Sequence, residues 1–253
     1  MSETQETFIS HLIELRDRLL RAVLAMLLVF LCLMPWASDI YDLLATPMLN
    51  TLPDGGRMIA TGVVTPFFVP IKVTMLVAFV IALPMVLYQA WAFIAPGLYS
   101  HEKRLAIPLV FGTTLLFLLG MAFCYFFVFG TVFKFIASFA PKSIELTPDI
   151  EEYLSFVMTM FMAFGVAFEV PVVVIVLVKI GVVEIAKLKE MRPYVIVGAF
   201  VIAAIVTPPD VISQLMLAIP MSLLYEVGII IARFVSRPGT AVVPAENEDG
   251  EKS

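Results

Sequence analysis

The stretch Tyr153–Lys179, YLSFVMTMFMAFGVAFEVPVVVIVLVK, decides the fold, because its length matches the roughly 20 apolar residues with which a helix crosses a bilayer core. One carboxylate, Glu169, sits in its middle. At mid-membrane a carboxylate is costly unless it faces a cavity, a partner or another polar group, or carries a proton, so Glu169 marks a functional group by default. The plainer alternative is a neutral acid bonded to a neighbouring helix. Gly165 permits close approach on the same segment, and Pro171 removes one backbone donor just beyond the acid.

The rest of the chain has the same character. Of its 253 residues 61% are hydrophobic and 15% charged, with a mean hydropathy of +1.00. A water-soluble domain would not tolerate such a surface, so the reading is an all-α polytopic membrane protein. The formal charge of -5 comes largely from loops and tail, and gives no reason to expect nucleic-acid binding. Cys32 and Cys124 lie in separate apolar runs without CxxC spacing and read as small hydrophobes.

Residues 1–21 are too long and too acidic for the basic leader of a signal peptide, and no A-x-A cleavage site follows, so they are expected to be retained. Phe8, Leu12, Leu15 and Leu19 recur at helical spacing opposite Glu14, Arg16, Asp17 and Arg18, the pattern of an amphipathic helix on the membrane surface. Within it Glu14 and Arg18 stand at i,i+4 and can pair. Six spans are expected. The first runs from about Ala22 to Ala37 and ends at the interfacial Pro35-Trp36. Ser38 to Pro70 should form short surface helices with turns at Pro53-Asp54-Gly55-Gly56 and Thr65-Pro66. The second span, Ile71 to Ile94, is expected to be broken by Pro84, and the third, Leu105 to about Ile136, exceeds the bilayer thickness and should tilt or protrude. Thr147-Pro148-Asp149 reads as a cap for the fourth. The fifth, Tyr194 to Val206, has only 13 residues, about 20 Å of helix. The sixth, about Val211 to Phe234, is interrupted by Ser213, Gln214, Pro220 and the intramembrane Glu226. Residues 22–235 therefore form the six-helix domain, and 236–253 an acidic, disordered tail.

With six spans, twelve Lys and Arg fall on the side of the N-terminus and four, Arg57, Lys72, Lys134 and Lys142, on the other. The positive-inside rule then puts both termini in the cytoplasm, together with the loop that carries Glu102. There is no H-E-x-x-H, no G-x-S-x-G and no P-loop, and His11 and His101 lack a Cys or His cluster, so an enzyme or a metal site is not expected. What stands out is a set of carboxylates in unusual places: Glu14 and Glu102 facing the cytoplasm, Glu169 and Glu226 within the membrane. A receptor for a basic peptide, a proton-coupled small-molecule transporter and a membrane scaffold all fit that set, and the residues alone do not separate them.

Four ordered motifs do. His11-Leu12-Ile13-Glu14-Leu15-Arg16, Phe93-Ile94-Ala95-Pro96-Gly97-Leu98-Tyr99 with Glu102-Lys103, Phe164-Gly165 with Phe168-Glu169 and Pro171, and Thr207-Pro208-Pro209-Asp210 with Ser213-Gln214 resemble those of the TatC family, the multi-spanning subunit of the twin-arginine protein translocase. The resemblance covers about residues 8 to 236. It implies a concave helix bundle in the bacterial inner membrane that binds twin-arginine signal peptides on folded cargo. It further implies a multimeric complex with single-span TatA-like and TatB-like partners, driven by the protonmotive force, with no cofactor and no catalysis. It places signal-peptide binding at Glu14 and Glu102, with Arg16, Phe93 and Leu98 as neighbours. It sets Glu169 on a partly hydrated groove, and gives partner contact to Thr207, Gln214 and the fifth span.

Overall fold

In lipid no water is at hand for a stray N–H or C=O, and a helix satisfies its backbone segment by segment. The computed structural model describes residues 3–49, 58–94, 103–139, 147–207 and 210–235, and helices account for most of them. In chain order they are α1 (Glu3–Leu33), a 3-10 turn (Met34–Trp36), α2 (Ala37–Leu49), α3 (Thr65–Ile94), α4 (Lys103–Phe123), a π-helical turn (Cys124–Phe129), α5 (Gly130–Phe139), α6 (Ile150–Lys179), α7 (Ile185–Glu190), α8 (Arg192–Val206) and α9 (Val211–Val235). Among the described residues five stretches are long and apolar enough to cross a membrane: Ile9–Thr46, Thr65–Ile94, Ile107–Ile136, Ile150–Lys179 and Val211–Val235. The shorter apolar α8 is a sixth candidate. The chain is an all-α, multi-pass membrane protein.

Several boundaries differ from the sequence reading. The amphipathic stretch and the first span are one helix, since α1 runs without a break past residue 21. The expected short helix after that span is α2. Helix α3 begins at Thr65 rather than Ile71, with Pro66 in the first turn, where a missing N–H is no loss. Pro84 does not break it. Pro70 and Pro84 both lie inside the helix, and the Thr74 hydroxyl donates to the carbonyl of Pro70 at 2.8 Å. Likewise α9 continues through Ser213, Gln214, Pro220 and Glu226. A π-helical turn interrupts the long third span, and Val128 and Phe129 at its end, like Val132 and Phe133 just after it, are buried.

Helix α6 is the centre of the bundle. It packs on α9 along one side and on α4 along another, while α1 and α2 lie against α3, and α8 is held chiefly by α9. Three glycines set these approaches. A Cβ on Gly120 of α4 would collide with the backbone carbonyl of Phe164, and one on Gly165 of α6 with the ring of Phe117. On α9, a Cβ at Gly228 would come within 2.9 Å of the Pro171 backbone. Around the first two contacts the rings of Phe123, Phe129, Phe133, Phe156, Phe161, Phe164 and Phe168 interlock, with Phe123 5.8 Å from both Phe164 and Phe168 and Phe129 5.2 Å from Phe161.

The end of α6 opposite Lys179 is tied down by polar groups. The Asp149 carboxylate caps the helix by accepting from the backbone N–H groups of Glu151 (2.7 Å) and Glu152 (3.3 Å). Its other oxygen accepts from the Thr61 hydroxyl at 2.6 Å and the Thr61 N–H at 3.1 Å. The backbone of Ile59 pairs with the same turn: its N–H donates to Pro148 (3.0 Å) and its carbonyl accepts from Ile150 (2.9 Å). Glu151 takes Lys72 at 2.7 Å and the Thr65 hydroxyl at 3.0 Å, and the Tyr153 hydroxyl donates to the Leu44 carbonyl at 3.1 Å. Residues 58–65, α2 and α3 are thus clipped to the start of α6. These hydrogen bonds, that of Thr61 foremost, hold the Asp149 carboxyl below the ordinary carboxylate range. A lowered native value means that the stabilisation is present above the unfolded value and disappears as pH falls through the native one. Hydrogen exchange of the Thr61 and Glu151 amides should therefore stay slow at neutral pH and lose protection in acid below about pH 4, the unperturbed Asp value. Asp149→Asn should show no such acid step, and an identical step in that variant would refute the assignment.

Candidate functional site

One candidate surface is built where α1 crosses α3. The Glu14 carboxylate accepts from Arg18 Nε at 2.8 Å and from its Nη2, both on the same oxygen, Oε1. Arg18 is the more enclosed partner: its side chain is 23% exposed against 41% for Glu14. Helical i,i+4 spacing brings the two together, as the sequence alone suggests. Arg16, one step around the helix, instead engages its neighbour Asp17, with Nε at 2.9 Å and Nη2 at 2.8 Å from Oδ1, and is well exposed. Phe93, near the end of α3, stacks on His11 of α1 with ring centroids 4.3 Å apart and planes at 17°. A carboxylate, two guanidinium groups and an aromatic face therefore share one end of the α1–α3 pair. Leu98 and Glu102 lie outside the described residues.

The two acids that the sequence sets within apolar spans separate into two kinds. Glu169 is only 8% exposed, and neither of its carboxyl oxygens has a hydrogen-bond partner among the described residues. Among the described residues the structure encloses this group without bonding it to a neighbouring helix. Glu226 is different: its Oε2 accepts from Arg192 Nη2 at 2.7 Å, a pair 34 residues apart that ties α9 to the start of α8. Counting charges along the chain sets Arg192 aside as a loop cation, and only the crossing of α8 and α9 reveals its partner. Beside them the Tyr225 hydroxyl donates to the Leu188 carbonyl on α7 at 2.8 Å.

At the opposite end of α8 lie Thr207 and Gln214. The Thr207 hydroxyl is buried and spent on its own helix, donating to Ala203 at 2.8 Å. Gln214 is half-buried and reaches the Phe200 carbonyl of α8 at 3.4 Å, long for a hydrogen bond. Asp210 caps α9 by accepting from the Ser213 N–H at 2.7 Å, while the buried Ser213 hydroxyl has no partner among the described residues. Thr207 and Gln214 thus sit at the same end of α8, with the Gln214 amide only weakly engaged. Among the described residues no three His, Cys, Asp or Glu side chains gather as a metal site.

The Arg192–Glu226 pair yields a direct test. Both side chains are about 40% exposed (41% and 38%), so screening by solvent limits the bond. A cycle of Arg192→Ala, Glu226→Ala and the double variant, followed by unfolding in mixed micelles, should give a coupling of about 0.2–1 kcal/mol. Strictly additive losses would show that the pair does not couple α8 to α9.

Comparison with known proteins now bears on these features. Residues 10–220 match the family model described as TatC, Sec-independent protein translocase protein (TatC). The Sec-independent protein translocase protein TatC of Escherichia coli is 52% identical over 232 residues, covering 92% of this chain and 90% of the relative. That of Haemophilus influenzae is 48% identical over 255 residues and covers both chains completely (100%). That of Aquifex aeolicus is 42% identical over 90% of this chain and 95% of the relative. Among solved structures, a crystal structure of the twin-arginine translocase receptor TatC superposes with a TM-score of 0.79 at 42% identity, covering 90% of this chain and 100% of that one. With the matched region taking in Glu14, Phe93, Glu169, Thr207 and Gln214, this chain belongs to the TatC family of Sec-independent protein translocase proteins.

Proposed function

We propose that this chain is the receptor and core subunit of a twin-arginine translocase, holding the paired arginines of a signal peptide between Glu14 and Glu102. Family membership supports the transport role, and the family's work is translocation rather than catalysis. The single observation that carries the site is the Glu14–Arg18 contact. Arg18 places two N–H groups on Glu14, so this carboxylate already accepts a guanidinium in the manner an incoming arginine requires. Both bonds fall on Oε1, and no bond to Oε2 is formed among the described residues. A peptide arginine can therefore join Glu14 through the second oxygen or take the place of Arg18. A planar guanidinium fork suits this arrangement and a lysine ammonium does not, which gives a physical reason for reading arginine pairs. Phe93, stacked on His11, supplies an aromatic face beside the carboxylate, and Arg16 and Leu98 complete its surroundings.

The same reading sets the chain in a bacterial inner membrane with six spans, α8 being the short fifth, and both termini in the cytoplasm. Residues 1–21 then form its cytoplasmic amphipathic end, 22–235 the concave transmembrane domain and 236–253 the cytoplasmic tail. Glu169 borders a polar path within the bilayer, in which Glu226 is anchored by Arg192. Thr207 and the weakly engaged Gln214 offer polar contact to the membrane helix of a TatA-like or TatB-like partner in a multimeric complex. Small-molecule transport is the alternative, to be tested by uptake into proteoliposomes.

Binding of synthetic peptides to the purified protein in nanodiscs tests the site. Glu102→Ala should weaken an Arg-Arg peptide by about 2–5 kcal/mol, some 30-fold to several thousand-fold. Glu14→Ala should cost less, because a surface helix can shift. Exchange of Arg-Arg for Lys-Lys should cost the wild type much of the same energy and cost Glu102→Ala little further. Additive or silent changes across that cycle would place recognition elsewhere. The orientation is checked separately: a cysteine at position 102 should react with a membrane-impermeant reagent only from the cytoplasmic side, and labelling of intact cells there would overturn the topology.

A further inference from the structure

Where residues 58–65 enter α3, the chain turns a polar side to the bundle and an apolar side away from it. On the inner side Thr61 is bonded to Asp149, Thr65 and Lys72 are bonded to Glu151, and Val69 and Val73 are buried. On the outer side Val63, Val64, Phe67 and Phe68 stand open, Val63 at 99% exposure and Phe67 at 67%. The backbone holds this corner in place. The N–H groups of Phe67 and Phe68 both donate to the Val64 carbonyl at 3.1 Å, and the two rings meet edge to face with centroids 5.3 Å apart. Four large apolar side chains therefore form one outward patch, a feature that marks contact with lipid or protein rather than with water.

Two observations favour lipid. The first is continuity. Val64, Phe68, Ile71 and Met75 recur at i, i+4, i+7 and i+11, one stripe along a helix, and Met75 is exposed well inside the membrane-length stretch Thr65–Ile94. Lys72, which could interrupt that stripe, is drawn onto Glu151 at 2.7 Å. The second observation is depth. His11 of α1 stacks on Phe93 of α3, and Ala22 shares a groove with Val86, so the two helices run side by side in opposite directions. From His11 to Trp36 is 25 residues, as from Phe93 back to Phe68; from Ala22 to Trp36 is 14, as from Val86 back to Lys72. Trp36 is thus level with the first two turns of α3. It is exposed at the end of the first span, the place of an interfacial aromatic. The patch therefore lies at the membrane surface, with Val63 and Val64 about one turn further out.

We infer that this corner is seated in the outer leaflet, with Phe67 and Phe68 among the lipid acyl chains and Val63 and Val64 at the level of the headgroups. The choice of leaflet follows from the orientation proposed above; the contact with lipid does not. Residues 58–65 are then held from two sides, by lipid on Phe67 and by Asp149 on Thr61, which fixes the start of α6 relative to the membrane surface.

The test is carried out on the full chain in nanodiscs with Cys32 replaced by serine; Cys124 is buried and out of reach of a label. A nitroxide is attached to a cysteine placed at position 63 or 67, whose side chains are open, so that no packing is removed. Ile81, exposed in the middle of α3, and Glu152, exposed in the first turn of α6, serve as lipid and water references. Power saturation then compares access of oxygen, which concentrates in hydrocarbon, with access of a water-soluble nickel chelate. Position 67 should favour oxygen as position 81 does, at a depth of about 5–10 Å inside the headgroup boundary, and position 63 should lie shallower. Chelate access at 67 equal to that at 152 would put the corner in water and overturn the inference. Poor access of both reagents at 67 would overturn it as well, since a protein surface then covers the patch, and dipolar broadening between labels would identify that surface as a second copy of this chain.

Discussion

The close approach of α6 to its two neighbours is the contact on which the bundle depends. Inside a bilayer the hydrophobic effect does not press helices together, because lipid tails are as apolar as leucine, and association rests on van der Waals contact over matched surfaces. Gly120 against Phe164, Gly165 against Phe117 and Gly228 against Pro171 supply that contact. The phenylalanine cluster then fills the space beside it, where ring geometry adds direction to packing. The π-helical turn at Cys124–Phe129 lies in the same core, with Cys124, Val128 and Phe129 buried in it.

With the middle of the bundle fixed by shape, polar bonds are concentrated near its ends. Asp149 and Glu151 gather Thr61, Thr65 and Lys72 at one end of α6, and Arg192 with Glu226 joins α8 to α9 elsewhere. Helix α8 therefore has a different standing from the other spans. It is short, it leans chiefly on α9, and a cavity of about 570 Å³ bounded by Met162, Val206 and Met221 opens between it, α6 and α9. Glu169 is enclosed in the protein without a bond from any described residue to either carboxyl oxygen.

The α1–α3 pair is built on other terms. Leu19, Leu20, Leu24 and Leu28 of α1 are exposed outside the bundle, as a helix bathed in lipid requires, and α1 meets the rest of the chain mainly through α3. At its polar end the side chains of Glu14 and Arg16 stay open, 41% and 66% exposed among the described residues. The acid there is exposed and already engaged by a guanidinium, whereas Glu169 is enclosed and unengaged. That contrast supports a recognition role for the first and an intramembrane role for the second.

Much of this was legible in the residues. Apolar runs of membrane length, the cap at Asp149, the Glu14–Arg18 spacing, the close approach at Gly165 and the four motifs are local patterns, and local spacing on a helix fixes which side chains share a face. The motifs carried the family for the same reason, since each is a short run of consecutive or helically spaced residues. Other features depend on which helix lies beside which. No periodicity pairs Arg192 with Glu226 or sets Ile59 alongside Asp149, because each joins segments far apart in sequence. Nor do proline rules anticipate that α3 runs on through Pro84, since in a bilayer neighbouring helices and the lack of water sustain a turn that solvent would open. Sequence thus determined the spans and the chemistry available at their ends. Tertiary packing decided which polar groups found partners, and left Glu169 and the Gln89 carbonyl without one among the described residues.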